Sequence, residues 1–409
     1  MGKVIVIGSG PAGLMSAITA SDTNKVILIE KNPKLGKKLF ITGKGRCNIT
    51  NSKDIGEFFD YIPTNPHFLY SSLYSYTNLD TINFFEKQGI KLKSERGDRV
   101  FPESDKSSDI LRGFTKEIHS KNIDVMLNTE FLEFITNDDK TKILSIKTSK
   151  GELKADHFIL CTGGASYPQT GSDGAAFIHC KTVGHNIIDL KPSLIPIVCK
   201  ESWTSEVQGL SLKNVELRII NDKKRVLYKN FGEMLFTNYG ISGPLVLSSS
   251  NIVTKNILKN NLYASIDLKP ALSAENLDKR IQKDFAKFIN NDFKSSLVAL
   301  LPSKLINVII ELSNIDPSKK VNLITKSERK KLCDLLKNLT LNISGVRPIA
   351  EAIVTSGGVD TLEIDPSTMK SKLIENLSFA GEVIDVDAFT GGFNIQIALS
   401  TGYLAGKSI

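Results

Sequence analysis

A glycine-rich turn close to the first residue places the strongest constraint on the fold of this chain. The apolar run Val4–Ile7 leads directly into Gly8-Ser9-Gly10-Pro11-Ala12-Gly13, and a stretch of small residues follows. In a G-x-G-x-x-G turn the first glycine permits a tight bend, the second lets the backbone approach a pyrophosphate, and the third lets a helix pack closely on its strand. Pro11 suits the first turn of that helix, where its missing N–H costs nothing. The alternative is a tight glycine turn in an ordinary α/β sheet.

A second apolar run and an acidic residue complete the pattern. Val26–Ile29 ends at Glu30, which lies seventeen residues after Gly13. An acid near this spacing accepts hydrogen bonds from an adenosine ribose and repels a 2′-phosphate. We therefore predict a β-α-β unit that binds a dinucleotide, with Glu30 at the ribose. The residues expected at the pyrophosphate are Gly8, Gly10, Pro11, Ala12 and Gly13.

Length and composition indicate a large globular chain. With 409 residues, of which 41% are hydrophobic and 23% charged, the chain can bury an extensive core and divide into about two or three domains. No run reaches the roughly eighteen apolar residues that span a bilayer, and the opening strand is too short for a signal peptide. We expect a cytoplasmic location.

The cysteines and histidines show no metal-binding or redox pattern. The five cysteines are far apart and include no C-x-x-C pair, and the five histidines show no H-x-x-x-H spacing. We therefore predict free thiols, no metal site and no disulfide relay.

The charged residues make a polyanionic partner one option. The formal net charge is +8, although excess lysine also serves solubility. A first cluster of cations follows Glu30, where we expect it beside cofactor phosphates, and consists of Lys31, Lys34, Lys37, Lys38, Lys44 and Arg46. A second cluster has only Glu328 and Asp334 within it and is either a solvated helix face or a nucleic-acid contact. Its members are Lys319, Lys320, Lys326, Arg329, Lys330, Lys331 and Lys337.

Two more strands are followed by glycine-rich segments. The first is Phe158–Cys161, which leads into Thr162, Gly163 and Gly164, and the second is the apolar run 377–380, which leads into Gly381. If these strands share one parallel sheet with Val4–Ile7, their carboxyl ends face one crevice, where open α/β sheets bind ligands. The chain then leaves this domain and returns to it.

The intervening segment changes character. Val215–Ile220 and Leu262–Leu268 alternate apolar and polar residues, as half-buried antiparallel strands do, and predict a small barrel-like β-domain. Beyond Ser273, a plausible N-cap, the pattern is helical. It carries a leucine stripe that we assign to the core, Leu332, Leu335, Leu336 and Leu339. We expect a cofactor domain at 1–190 and 342–409, a β-domain at 191–272 that part of 342–358 joins, and a helical subdomain at 273–341.

The segment from Lys34 to Asn51 is too rich in glycine and basic residues for a buried element, and we expect a loop whose backbone lies against a ligand. This segment, the N-terminal turn, the Gly163–Gly174 loop, Gly232–Pro244 and Phe379–Gln396 occur in a fixed order along nearly the whole chain. In this order they resemble the motifs of the HI0933-like (BaiN/RdsA-like) family of bacterial FAD-dependent oxidoreductases. The Gly171–Gly174 loop is slightly shorter than the usual form of that family, which leaves the contacts of Ser172 and Asp173 open.

The resemblance implies a Rossmann-like, glutathione-reductase-like α/β domain that holds FAD non-covalently. It also implies an inserted β-barrel-like domain, a small helical domain and a site at their junction. Arg46, Cys47 and Asn48 are then expected near the flavin and are the candidate catalytic residues. Gly381, Glu382 and Asp385 are expected along the polyol chain, and Gly391, Gly392, Phe393, Asn394 and Ile395 beneath the ring. Further cofactor contacts are expected from Lys31, Lys38, Thr42, Gly45, Thr162, Gly163 and Gly164.

Elementary electrostatics supports the placement of the last segment. A helix that begins near Asn394 directs its unpaired amides and its dipole at the flavin edge where negative charge collects on reduction. We expect Thr390 or Asn394 to cap this helix. A glycine turn before a packed helix of small residues is the alternative.

Cys47 is the side chain of greatest chemical interest. Beside Arg46, its thiol is expected to have a lowered pKa and to protonate a substrate carbon. The alternative is a small packing residue next to a glycine-rich loop.

The resemblance, together with these features, gives three functional hypotheses. After the first fingerprint there is no second G-x-G-x-x-G with its own strand and acid, so NAD(P)H, if used, docks transiently. The leading hypothesis is an NAD(P)H-driven reductase of a conjugated C=C bond, in uridine of large-subunit ribosomal RNA or else in a small enone. The others are an FAD-dependent oxidase of a small amine or aminoketone that releases hydrogen peroxide, and a non-catalytic RNA-binding flavoprotein.

Overall fold

The chain folds into two compact units. The computed structural model describes residues 1–409. Met1–Ser193 together with Pro348–Ile409 form the first unit, called here the sheet unit, and Leu194–Arg347 form the second, called here the barrel unit.

A five-stranded parallel sheet lies at the centre of the sheet unit, in the order β19-β10-β1-β2-β6. These strands are β1 (Lys3–Ile7), β2 (Lys25–Ile29), β6 (Asp124–Met126), β10 (His157–Leu160) and β19 (Leu377–Phe379). Ile7 pairs with Leu160, which pairs with Phe379. The prediction that the three glycine-terminated strands share one parallel sheet is therefore confirmed, and their carboxyl ends are level.

The remaining elements of the sheet unit surround this sheet. The other strands are β3 (Thr50–Asn51), β4 (Leu92–Glu95), β5 (Arg99–Pro102), β7 (Phe131–Thr136), β8 (Ile143–Thr148), β9 (Gly151–Leu153), β11 (Ile187–Ser193) and β18 (Val354–Val359). The helices are α1 (Pro11–Ala20), α2 (Lys37–Gly45), α3 (Tyr70–Ser75), α4 (Asn78–Lys87), α5 (Ser107–Ser120), α6 (Ala176–Thr182) and α12 (Phe393–Lys407). Strands β3, β5 and β4 form one antiparallel sheet, β7, β8 and β9 another, and β11 pairs with β18.

Helices α1 and α12 pack together through small residues. A Cβ at Gly402 would contact Ala12, and one at Gly406 would contact Ser16, so the two helices run in the same direction. Because α12 begins nine residues before Gly402 and α1 begins one residue before Ala12, the N terminus of α12 extends about 12 Å beyond the start of α1. Two helix N termini are thus offset along one side of the sheet unit.

The barrel unit is built on a closed six-stranded barrel in the order β12-β15-β14-β13-β16-β17. Its strands are β12 (Ile197–Cys199), β13 (Ser211–Asn221), β14 (Val226–Thr237), β15 (Gly240–Ser242), β16 (Leu262–Asp267) and β17 (Leu339–Val346). The predicted barrel-like domain is confirmed. Its helices are α7 (Pro244–Asn256), α8 (Ala274–Lys287), α9 (Phe293–Ser296), α10 (Ser303–Ser313) and α11 (Lys326–Lys337).

One hydrophobic core includes residues from the barrel and from the helices of this unit. Ser273 caps α8 by accepting a hydrogen bond from the Asn276 backbone N–H, as predicted. Leu332 and Leu336 of α11 are fully buried, which confirms the core assignment, while Leu339 begins strand β17 instead of continuing the helix.

None of the helices combines the length and the apolar character that crossing a membrane requires. The five cysteines are buried and unpaired. The structure contains no group of three or more His, Cys, Asp or Glu side chains arranged to bind a metal ion.

Candidate cofactor site

The start of α1 presents open backbone. Gly10 is the N-cap, its backbone is extended (φ −68°, ψ 179°), and no side chain caps the helix. A Cβ placed on Gly10 would meet no heavy atom within 4 Å, whereas one on Gly13 would overlap the Gly8 carbonyl oxygen. The third glycine therefore serves helix-to-strand packing, and the second faces an open cradle. An uncapped helix N terminus beside open space is an anion-binding site.

Glu30 lies at the end of β2 with its carboxylate fully hydrogen-bonded. Oε2 accepts from the Ser9 backbone N–H (3.0 Å) and hydroxyl (2.5 Å), and Oε1 accepts from the Asn32 backbone N–H (2.8 Å) and Nδ2 (2.7 Å). A carboxylate offers about four acceptor positions, so a ribose hydroxyl would replace one of the two side-chain donors. The fingerprint pattern alone did not predict Ser9 and Asn32 at this site.

A polar cleft of about 390 Å³ opens beside Glu30. Its lining includes Lys31, Asn32, Asn128, Glu130, Gln169 and Asp173. Lys31 forms an ion pair with Asp173 (2.7 Å), so this lysine is tied to the loop after β10. The cleft provides room for a polar heterocycle next to the residue expected to hold its ribose.

Glu382 gathers three donors where β10, β18 and β19 come close together. Its carboxylate accepts hydrogen bonds from Lys38 Nζ (2.8 Å), from the Ser166 hydroxyl (3.0 Å) and from the Thr355 backbone N–H (2.7 Å). Asp385 lies nearby and accepts from the Gly357 backbone N–H (3.0 Å) and from Asn65 Nδ2 (3.0 Å). Lys38 therefore links the segment from Lys34 to Asn51 with the glycine-rich segment that follows β19, through its ion pair with Glu382.

Three buried polar atoms of the predicted loops have no hydrogen-bond partner within the protein. They are Asn48 Oδ1, Thr162 Oγ1 and Ser172 Oγ. A buried polar atom without a partner costs about 1–3 kcal/mol, and such atoms are rare in native proteins. Gly163 lies next to two of them, because it follows Thr162 in the chain and a Cβ placed on it would be 2.9 Å from Ser172 Oγ. These atoms mark positions where a ligand could supply the missing partner.

The segment from Lys34 to Asn51 is only partly the loop that we predicted. Helix α2 begins at Lys37 and is interrupted at residues 42–44, where Thr42 is extended and Gly43 and Lys44 are left-handed. The loop prediction is therefore wrong for the first turn of α2. Beyond the break, Gly45 faces open space, since a Cβ there would meet nothing within 4 Å.

The charge of Arg46 is committed to two carboxylates. Its guanidinium lies over the Phe101 ring at 4.2 Å and forms ion pairs with Glu95 and with Asp105. The hydrogen bond from Arg46 lowers the pKa of Glu95, and hydrogen bonds from Lys93 and then Arg46 lower that of Asp105. Arg46 thus ties the segment that carries Cys47 and Asn48 to the β4-β5 hairpin.

Cys47 is fully buried, and its backbone is left-handed (φ 59°). Burial raises the pKa of its thiol to about 12, and a hydrogen bond with Thr42 only partly offsets this. The expectation of a lowered pKa is therefore wrong, because the Arg46 guanidinium is engaged by Glu95 and Asp105 while the thiol lies in the apolar core. A non-glycine residue in this backbone region is uncommon and is often held at a functional site.

Strand β3 holds the start of α12 beside this segment. Asn51 Nδ2 donates to the Gly391 carbonyl oxygen (3.0 Å), and a Cβ on Gly392 would overlap the Thr50 carbonyl group. Gly392 is the N-cap of α12 with φ 100°, and no side chain caps this helix. The predicted cap is wrong, because the Asn394 amide bonds instead to backbone groups of Ala388 and Phe389.

The first turn of α12 therefore offers backbone amides. The Phe393 side chain is buried and stacks on Tyr61 with ring centroids 4.5 Å apart, so it belongs to the core. The Asn394 side chain points back to the preceding loop. What remains available at this turn is the uncapped helix N terminus with its partial positive charge.

These features together fit FAD. The open cradle at Gly10 and the start of α1 suit the pyrophosphate, and the cleft beside Glu30 suits the adenosine. The uncapped start of α12 lies near the segment in which Asn48 Oδ1 lacks a partner, and these groups suit the polar edge of a flavin. Two helix N termini offset along neighbouring helices match a ligand that carries charge at two separated places.

Comparison with known proteins supports this assignment. The family model described as HI0933-like protein Rossmann domain matches residues 2–408. A ribosomal RNA dihydrouridine synthase of Haemophilus influenzae is 31% identical over 411 residues, which cover 99% of this chain and 98% of that protein. A 3-dehydro-bile acid delta(4,6)-reductase of Clostridium scindens is 28% identical over 414 residues, covering 100% of this chain and 99% of that protein.

Solved structures show the same fold at low sequence identity. A 3-ketosteroid delta1-dehydrogenase from Sterolibacterium denitrificans superposes with a TM-score of 0.51 at 12% identity and 99% coverage of both chains. A 3-ketosteroid-delta4-(5alpha)-dehydrogenase from Rhodococcus jostii superposes with a TM-score of 0.50 at 13% identity, covering 99% of this chain and 96% of that one. With the family match along nearly the whole chain, we conclude that the chain belongs to the HI0933-like family and is an FAD-dependent oxidoreductase.

Proposed function

We propose that the protein is an NAD(P)H-driven reductase of a conjugated C=C bond, with uridine in large-subunit ribosomal RNA as its first-choice substrate. The observation that carries this proposal is the 31% identity to a ribosomal RNA dihydrouridine synthase along 99% of this chain. A second ribosomal RNA dihydrouridine synthase, from Escherichia coli, is 28% identical over 99% of this chain. The net charge of +8 agrees with a polyanionic substrate.

The sheet unit would hold the cofactor through backbone more than through side chains. The start of α1 would bind the pyrophosphate, Glu30 the adenosine ribose, and Glu382 and Asp385 the polyol chain. The start of α12 would place positive partial charge where negative charge develops. When bound, FAD would supply hydride transfer.

We assign different roles to the three neighbouring residues 46–48. Arg46 positions the segment through Glu95 and Asp105, and is not expected to contact substrate. Asn48 is expected to bond to the flavin through Oδ1, which lacks a partner in the protein. For Cys47, full burial and a pKa of about 12 favour the packing alternative over the role of proton donor, because a general acid works best with a pKa near the working pH.

The electron donor is proposed to be NADH or NADPH, docking transiently. One glycine-rich fingerprint occurs in the chain, at Gly8–Gly13, and the sheet unit already uses it at α1. A separate nicotinamide domain with its own fingerprint is not expected. The donor and the acceptor would then use the site in turn.

Anaerobic spectroscopy of the purified holoprotein tests this proposal. Bleaching of the flavin by NADH or NADPH, followed by reoxidation with ribosomal RNA, is expected. Ribosomal RNA from cells that lack the gene should also contain less dihydrouridine than RNA from cells that carry it. Unchanged dihydrouridine content would exclude the RNA substrate.

A small enone is the second candidate acceptor. It is favoured by the 28% identity to the 3-dehydro-bile acid delta(4,6)-reductase over the whole of this chain. Reoxidation of the flavin by an enone but not by RNA would support it.

Bleaching of the flavin by an amine or aminoketone alone, with hydrogen peroxide formed on return of oxygen, would indicate the oxidase. Absence of any flavin turnover together with salt-sensitive RNA binding would indicate a non-catalytic RNA-binding flavoprotein.

A further inference from the structure

One end of the barrel carries a group of cations that form no ion pair in the structure. Five members, called here the barrel-end cluster, are exposed to solvent: Lys200, Lys223, Lys224, Arg225 and Lys259. Three of them are consecutive and form the tip of the β13-β14 hairpin. The sequence does not display them as one cluster, because they come from three separate segments.

Strand pairing brings these three segments together. Asn221 closes the hairpin tip by accepting a hydrogen bond from the Lys224 backbone N–H (2.9 Å), and it pairs with Leu262 of β16. Lys259 lies three residues before Leu262. Leu262 pairs in turn with Ile343 of the next strand, β17. The carbonyl oxygen of Asn342, the residue before Ile343, accepts a hydrogen bond from the Lys200 backbone N–H. With neighbouring strands about 4.8 Å apart, the backbone positions of the cluster span about 15 Å.

Few acidic groups face the barrel-end cluster. Asp222 lies in the hairpin tip, where its carboxylate accepts from the Lys223 backbone N–H (3.0 Å). Glu201 lies next to Lys200, but its carboxylate accepts three hydrogen bonds from the backbone and side chain of Asn342. The cluster therefore keeps a local excess of positive charge.

The second lysine cluster of the sequence differs in this respect. Four of its seven cations are ion-paired, and the partners include aspartates that are distant in sequence. The pairs are Lys319 with Glu328 (2.6 Å), Lys320 with Asp292 (2.9 Å), Arg329 with Asp278 (2.7 Å) and Lys337 with Asp267 (2.5 Å). More than half of its cations are therefore neutralised within the fold, while Lys326, Lys330 and Lys331 form no ion pair, and we favour the solvated-face alternative for this cluster.

We propose that the barrel-end cluster binds the phosphate backbone of the RNA substrate. The proposal rests on the proposed function, and it assigns RNA docking to the barrel unit at a surface that needs no flavin. Lysine and arginine side chains free of carboxylates gain affinity for a polyanion by releasing its counterions. The exposed apolar side chains beside the cluster are Val226 and Leu258, too few for the broad apolar face with which proteins bind a lipid surface.

A charge-matched pair of variants tests the proposal by fluorescence anisotropy of a labelled RNA hairpin. The test variant combines Lys223→Gln, Lys224→Asn and Arg225→Gln. Asparagine is chosen at 224 because this residue has φ 60°, a conformation that asparagine tolerates. The control combines Lys326→Gln, Lys330→Gln and Lys331→Gln, which removes three exposed cations from the second cluster and leaves the same net charge.

The expected result is specific to the barrel-end variant. Its affinity for the hairpin at low salt should fall at least about tenfold, and the slope of log K against log salt should become shallower by about two. The control should stay within about threefold of the parent, and flavin reduction by NAD(P)H should be unchanged in both variants. Equal losses in the two variants would overturn the proposal, as would unchanged binding in the test variant.

Two further measurements separate the alternatives. Binding of phosphatidylglycerol vesicles that depends on the barrel-end cations, without binding of RNA, would replace RNA by an anionic lipid surface and overturn the proposal. If RNA binds through this cluster but never reoxidises the flavin, the docking surface stands while the proposed reductase activity fails.

Discussion

The sheet unit leaves buried polar atoms unsatisfied in its glycine-rich loops, and the barrel unit leaves exposed cations unpaired at one end of its barrel. In the sheet unit, buried atoms at Asn48, Thr162 and Ser172 lack partners, and two helix N termini are uncapped. In the barrel unit, exposed cations at the end of the barrel lack counterions, while its second lysine cluster is mostly paired. We therefore assign the unpaired atoms in the loops of the sheet unit to a ligand that enters it, and we propose a large partner in solvent for the unpaired cations at the end of the barrel.

The largest expected effect, a loss of FAD affinity, comes from placing a side chain in the open space at Gly10, at the start of α1. The Gly10→Val substitution suits the extended backbone at this position and meets no protein atom within 4 Å at Cβ. The fold should therefore be kept, with a loss of about 1 kcal/mol for the poorer N-cap. FAD affinity should fall at least about a hundredfold, or about 2.8 kcal/mol, measured by titration of the apoprotein.

Gly13→Ala is the matched control for this prediction. Its Cβ would overlap the Gly8 carbonyl oxygen, so this variant should unfold more easily with or without FAD. RNA binding by the barrel-end cluster should persist in Gly10→Val. A Gly10→Val protein that binds FAD as tightly as the parent would contradict the assignment of α1 to the pyrophosphate.

The second-largest effect is expected from lowering the pH, which should destabilise the sheet unit more than the barrel unit. All five histidines lie in the sheet unit, and burial lowers the pKa of His157 to about 4. In the unfolded chain His157 has a pKa of about 6.5, whereas in the folded protein it binds a proton only below about pH 4. Between these two pH values the free energy of unfolding therefore falls by about 1.4 kcal/mol for each unit by which the pH is lowered. The opening free energy of the β10 amides, measured by hydrogen exchange and corrected for intrinsic exchange rates, should therefore be about 2 kcal/mol lower at pH 5 than at pH 7.

His157→Gln supplies the control, since its amide can still bond to Ser378, which His157 contacts at 2.8 Å. The pH dependence of β10 exchange should flatten in this variant, while β13 of the barrel unit changes little in either protein. An unaltered pH dependence in His157→Gln would show that other groups dominate the acid response.

A smaller effect is expected from Asn48→Ala. If Oδ1 finds its partner in the flavin, its removal should weaken FAD binding about tenfold, or about 1.4 kcal/mol. The melting temperature of the apoprotein should stay the same or rise, because an unpartnered buried atom is lost. Thermal unfolding with and without FAD measures both changes. A lower melting temperature of the apoprotein, with unchanged affinity for FAD, would assign Asn48 a purely structural role.

The smallest effect is expected from Cys47→Ala. Because the sulfur is fully buried and its thiol is neutral, flavin should remain bound and turnover should stay within about threefold of the parent. Stopped-flow measurement of the two half-reactions checks this. Loss of the acceptor half-reaction alone, with normal flavin reduction, would restore Cys47 as the proton donor.

Local patterns predicted the parts of the fold that depend on neighbouring residues. The Gly8–Gly13 turn and the Ser273 cap follow from backbone geometry and periodicity, which short segments contain. The barrel strands around Val215–Ile220 were visible for the same reason, as an alternating pattern.

Long-range contacts explain what the sequence did not reveal. The pKa of Cys47 rises because the core encloses the thiol, and the neighbouring Arg46 does not lower it while its guanidinium is paired with the distant carboxylates of Glu95 and Asp105. Three of the four counterions of the second lysine cluster lie tens of residues away, at Asp292, Asp278 and Asp267. The barrel-end cluster exists only after strand pairing. Charge density along a sequence is therefore a poor measure of charge density on a surface.

Reconstitution of the apoprotein with FAD and with FMN tests the central claim most directly. The account assigns the pyrophosphate to α1 and the adenosine to the cleft beside Glu30, and FMN has one phosphate and no adenosine with which to make these contacts. We predict one FAD per chain, with an affinity at least about a hundredfold above that for FMN. A folded protein that binds neither flavin, or that binds FMN as tightly as FAD, would contradict the account.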